Sequence, residues 1–79
     1  MDIRRFVGEN VRRFRLAAKL SQDELAARMN VEQGYVSRLE AGSRNPTIET
    51  LQAAADALGV SVAQLLELSG QAKAPTRRR

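Results

Sequence analysis

A chain of 79 residues has room for one small domain, and a domain of that size buries only about 60% of the surface its unfolded chain exposes. It contains no cysteine and no histidine, which removes disulfides, thiolate or imidazole metal sites and every nucleophile–histidine pair, so no cofactor, metal or catalytic residue is expected and the chain is not expected to be an enzyme. The net charge of +4 suits a polyanionic partner, but residues 1–68 hold nine basic and nine acidic side chains and the excess sits in Lys73, Arg77, Arg78 and Arg79, so the case for such a partner rests on where the charges lie.

Taken in chain order, the sequence predicts five helices and no strand. Asp2 caps a first helix from Ile3 to Ala18, in which Val7, Val11, Phe14 and Ala18 recur at steps of three and four and form one apolar stripe. Ser21-Gln22-Asp23-Glu24 has the spacing of a capping box and opens a second helix with Leu25, Ala26 and Met29 facing inward. Asn30, tolerant of the left-handed conformation, ends it after about two turns. A third helix runs from about Gln33 to Glu40, behind the indifferent cap Glu32 and ahead of the terminator Gly42. Pro46 drives Asn45 out of the helical region and forces a turn. Thr47 then caps a fourth helix with Ile48, Leu51, Ala54, Ala55 and Leu58 as its apolar stripe, closed by Gly59. Ser61 caps a fifth, with Val62, Leu65, Leu66 and Leu68 apolar. Residues 1–68 are expected to form one domain and residues 69–79, SGQAKAPTRRR, which have no apolar periodicity, a disordered basic tail. No apolar run of signal-peptide or membrane-span length is present, so a cytoplasmic protein with no membrane partner is expected.

The second and third helices are too short to be stable alone. Only Asn30-Val31-Glu32 joins them, which makes them cross steeply, with Val31 at the corner. That is the helix-turn-helix arrangement; spacing alone is also compatible with a generic all-α bundle whose short helices fill space. On the third helix Val36 and Leu39 point to the core and Tyr35 lies at its edge, while Gln33, Gly34, Ser37 and Arg38, at i, i+1, i+4 and i+5, share the solvent side. Gln33 has the paired donor and acceptor that an adenine edge requires, Arg38 has two parallel donors for a guanine edge or one for a phosphate, and Ser37 bonds either way. Gly34 costs a helix about 1 kcal/mol relative to Ala. Either it admits close backbone approach to a base or it is a tolerated helix-start glycine. Glu24, Glu32, Glu40 and Glu49 are distributed over different elements, which suits capping or pairing rather than paired acid–base chemistry.

With these features in place, residues 20–66, LSQDELAARMNVEQGYVSRLEAGSRNPTIETLQAAADALGVSVAQLL, resemble the phage repressor and Cro type of helix-turn-helix domain, the XRE-like family. Four elements agree at fixed spacing: Ser-Gln-x-x-Leu-Ala, Tyr-Val-Ser-Arg-Leu-Glu-x-Gly, Asn-Pro and Leu-Gly-Val-Ser. The resemblance implies an all-α, compact five-helix, lambda-repressor-like fold and a sequence-specific regulator of transcription that binds double-stranded DNA. It implies that Gln22 contacts a phosphate and braces Gln33, that Gly34, Ser37 and Arg38 face the major groove, that Arg44 and Asn45 touch the DNA backbone, and that Arg15 pairs with Glu40 to tie the first helix to the end of the third. Glu32 departs from the usual Ser or Thr cap and places a carboxylate near phosphates.

One helix reads only a few base pairs, and relatives of this type bind pseudo-palindromes as two-fold dimers with reading helices about 34–36 Å apart. A homodimer is therefore expected, with Leu66 and Leu68 of the fifth helix at least partly in its interface. Two other roles fit the same pattern. The run SRNPTIETL and the chain length also resemble restriction–modification controller proteins, which activate as well as repress, and antitoxins use the same fold to sequester a toxin, a partner protein the sequence does not identify. The terminal arginines either add non-specific phosphate attraction or only solubilise the end of the chain.

Overall fold

The computed structural model describes residues 2–67; Leu68 and the basic segment 69–79 lie outside the described residues. Five helices follow one another: α1 (Ile3–Ala17), α2 (Gln22–Met29), α3 (Gln33–Glu40), α4 (Ile48–Leu58) and α5 (Val62–Leu65), with no strand among the described residues. Four of the five begin where a side chain replaces a missing intrahelical partner. Asp2, Ser21, Thr47 and Ser61 accept from the backbone N–H two or three residues on, and Glu24 and Gln64 complete capping boxes by reaching back. Glu32 caps α3 without a side-chain bond.

The first four helices end by the left-handed route, whereas α5 ends at Leu66 with φ −98°. Asn30, Gly42 and Gly59 take positive φ, and so does Lys19, which the sequence did not single out. At α3 the N–H of Ser43 reaches the Arg38 carbonyl at 3.0 Å and that of Gly42 the Leu39 carbonyl at 3.1 Å, so two carbonyls that the helix end would orphan are satisfied.

Val7, Val11, Leu25, Ala26, Met29, Val36, Leu39, Ala54, Ala55 and Leu65 form the buried core. α3 packs against α1 and α2, α4 against α2, and the short α5 closes the far side against α1 and α4. Two expectations fail locally. Ala18 is exposed at the end of α1, because the chain turns at Lys19 and Leu20 enters the core in its place. Ile48 is 83% exposed although it has the phase of Leu51 and Ala55. It stands on the first turn of α4, and periodicity sets a side chain's direction without extending a neighbour far enough along the axis to cover it.

Two residues that the apolar stripe of α1 left unread set the packing. Asn10, in the core phase between Val7 and Val11, is fully buried and donates from Nδ2 to the carbonyls of Leu65 (2.8 Å) and Glu67 (2.7 Å), while its Oδ1 accepts from Arg13 (3.0 Å). A buried amide with both N–H groups and its oxygen bonded fixes where the chain leaves α5. Gly8 faces the end of α3 so closely that a Cβ there would stand 2.5 Å from the Leu39 carbonyl oxygen and 2.7 Å from that of Glu40. Only a residue without a side chain lets α1 and α3 approach this far.

Candidate nucleic-acid interface

The corner between α2 and α3 is made by Asn30 at φ 62°, with the Val31 N–H bonded to the Ala26 carbonyl at 3.0 Å and Val31 half-buried on the core. Ala26, 3% exposed, is small enough for α3 to cross close above it. α3 then buries Val36 and Leu39 and leaves Gln33, Ser37 and Arg38 exposed, with Gly34 half-exposed among them. Four residues that the sequence places on one face thus share an open side of the molecule.

Behind that face runs a chain of polar contacts. Arg15 and Glu40 form a two-bond ion pair, Nε to Oε2 at 2.6 Å and Nη2 to Oε1 at 3.0 Å, with side chains 10% and 4% exposed. The third arm of Arg15 donates to the Leu20 carbonyl at 2.8 Å. The hydrogen bond to Glu40 raises the Arg15 pKa above its ordinary value, outweighing the desolvation that lowers it, so the guanidinium stays charged. The Oε1 of Glu40 also accepts from Nε2 of Gln22 at 3.0 Å. The Oε1 of Gln22 in turn accepts from Nε2 of Gln33 at 2.7 Å. A buried ion pair is therefore connected, through one amide, to the exposed amide at the start of α3. The Glu40–Gln22 contact is the one link that the sequence had not suggested.

Beside Gln33, the guanidinium of Arg38 folds back over Gly34, with Nη1 3.3 Å from where a Gly34 Cβ would be. Gly34 thus makes room for the arginine one turn on, a use of the glycine different from both alternatives read in the sequence. Arg38 makes no ion pair among the described residues, and its donors are open to a ligand. In the loop after α3, Arg44 stacks on the ring of Tyr35, 4.7 Å from its centroid, and the Tyr35 hydroxyl lies 3.3 Å from Oγ1 of Thr50 on α4. Asn45 is exposed beside Arg44. At the other end, Leu66 is 40% exposed just past α5, and Leu68 is outside the described residues.

No three His, Cys, Asp or Glu side chains among the described residues converge as a metal site. A shallow surface hollow of about 410 Å³ lies on α1 between Glu9, Arg12, Arg13 and Leu16. No helix among the described residues is long and apolar enough to cross a membrane.

Comparison with known proteins agrees with the geometry. Residues 11–65 match the family model HTH_3, helix-turn-helix. The chain is 44% identical over 77 residues to an uncharacterised HTH-type transcriptional regulator of Sinorhizobium fredii, covering 98% of this chain and all of that one. Among solved structures, a hypothetical transcription factor from Neisseria superposes with a TM-score of 0.86 at 34% identity, over 90% of this chain and 82% of that one. The restriction–modification controller protein C.AhdI from Aeromonas hydrophila superposes with a TM-score of 0.76 at 31% identity, over 78% of this chain and 94% of that one.

Proposed function

We propose that this chain, which belongs to the XRE-like helix-turn-helix family of transcriptional regulators, works as a homodimer in the cytoplasm that lays α3 of each subunit in the major groove of a pseudo-palindromic operator. The observation that carries the reading is Gln33: an exposed amide at the start of α3, held at 2.7 Å by Gln22, with Arg38 open beside it. An ordinary solvated face has no reason to hold a surface glutamine in one orientation, since ordering it costs side-chain entropy. Gln33 then reads an adenine, Arg38 a guanine or a phosphate, and Ser37 and Gly34 line the approach. Gln22, Arg44 and Asn45 sit at the flanks, where a duplex would bring its phosphates. Stacking on Tyr35 holds the Arg44 guanidinium outward.

Dimerisation through Leu66, with Leu68 beyond it, follows from the need for two half-sites and from an apolar side chain left open at the end of the fold. The likeness to the Aeromonas hydrophila controller protein, which this chain spans almost end to end, favours a controller-type regulator over an antitoxin. Gln33→Ala and Arg38→Ala are each expected to cost about 1–3 kcal/mol on a duplex selected by the wild-type protein and to leave binding to random DNA unchanged. Specific affinity intact in both variants, measured by mobility shift at fixed salt, refutes α3 as the reading element.

A further inference from the structure

We propose that Glu40, a side chain 4% exposed and out of reach of any base, decides which base Gln33 accepts, by fixing the direction of the hydrogen-bond chain that ends on it. The inference rests on Gln33 being a base reader. An amide can turn either end toward a neighbour, because its oxygen and nitrogen are nearly the same size; an ionised carboxylate can only accept. Both oxygens of Glu40 already accept from Arg15, and Oε1 accepts from Gln22 as well. Gln22 must therefore turn its NH2 group to Glu40 and its oxygen away. That oxygen faces Gln33, so Gln33 must turn its own NH2 group inward.

What Gln33 has left to offer is one carbonyl oxygen and one remaining N–H. Adenine presents the complement in the major groove, the N6 amino donor beside the N7 acceptor. Guanine presents two acceptors, O6 and N7, and an oxygen of Gln33 opposite O6 is a repulsive contact with no bond to replace the lost water. Were the chain not anchored on a carboxylate, Gln33 could turn over and donate to O6. Glu40 is thus a positioning residue whose acceptor-only chemistry is transmitted through two amides, and the Arg15 pair that holds Glu40 in place belongs to the same device.

The test compares Glu40→Gln, Gln22→Ala and Gln33→Ala on a duplex selected from a random pool by the wild-type protein, with each A·T pair replaced in turn by G·C. The wild-type preference for adenine at the Gln33 position is expected to be about ten- to hundredfold. In Glu40→Gln and Gln22→Ala it falls to within about threefold of no preference, while the preference at the Arg38 position is retained. Gln22→Ala leaves the Arg15–Glu40 pair intact and tests whether the chain transmits at all, while Gln22→Glu, an acceptor-only side chain that no longer needs Glu40 to orient it, is expected to keep the adenine preference even in the Glu40→Gln background. A second readout needs no DNA: in the free protein the side-chain NH2 resonances of Gln33 shift in Glu40→Gln although the two residues do not touch. A Glu40→Gln protein that is folded and keeps the preference while Gln33→Ala loses it overturns the inference, whichever way Gln22→Ala falls. A preference unchanged in all three removes the base-reading role on which the inference stands.

Discussion

Replacing Gly8 with alanine sets two effects against each other, and the structure decides between them. In an open helix the change stabilises by about 1 kcal/mol, because glycine loses more backbone entropy on folding than alanine. Here the added Cβ meets the Leu39 carbonyl oxygen at 2.5 Å and the Glu40 carbonyl oxygen at 2.7 Å. Both are backbone atoms at the end of α3, so neither can rotate away, and α1 and α3 must separate by about half an ångström before the contact is even tight. Overpacking of this kind costs about 1–3 kcal/mol, more than the propensity gain. The net loss, up to about 2 kcal/mol, lowers the melting temperature of a domain this small by up to roughly 15 °C, read by circular dichroism at 222 nm. Gly34→Ala is the internal control, since its new Cβ meets only the flexible end of Arg38 at 3.3 Å; it is expected to melt at or above the wild-type temperature. A Gly8→Ala protein that melts as high as Gly34→Ala refutes the claim that the α1–α3 approach depends on the missing side chain.

Arg15→Met strands the Glu40 carboxylate at a site 4% exposed and is expected to cost about 3–5 kcal/mol in urea unfolding, of which the double change Arg15→Met, Glu40→Leu restores the larger part; equal stability of single mutant and wild type refutes the burial argument. Leu66→Asp is expected to convert the proposed dimer to a monomer in sedimentation equilibrium; a wild-type monomer refutes the dimer, and an unchanged dimer mass in the variant assigns the subunit contact to another surface.

Where a local rule governs, the sequence was readable. Every helix start coincides with a residue able to cap it or, at Glu32, with a carboxylate that fits the positive end of the helix without bonding to it. The ends of α1 to α4 fall within a residue of their expected positions, at α2, α3 and α4 because Asn30, Gly42 and Gly59 accept the left-handed turn at little cost, whereas α5 stops at Leu65 and Leu66, expected within it, lies past its end. The outward side of α3 follows from a period of 3.6 residues and needs no tertiary information. Gly8 and Asn10 were overlooked for opposite reasons. Asn10 carried a usable signal, a polar residue in the phase of Val7 and Val11. Gly8 carried none, because the carbonyls that it admits belong to a helix some thirty residues away.

The sequence by itself determined which segments coil, which side of each is apolar and which polar groups face out from α3, since capping and periodicity act within a few residues along the chain. The family resemblance implied the Arg15–Glu40 pair and the Gln22–Gln33 brace, but only the tertiary structure decided that the Glu40–Gln22 bond joins them into one chain behind Gln33. The contacts from Arg15 to Glu40, from Glu40 to Gln22 and from Gln22 to Gln33 join three helices across gaps of 25, 18 and 11 residues. A hydrogen bond depends on distance and angle in space, which no spacing along the chain prescribes, and it is packing on the shared core that brings those side chains within about 3 Å of one another.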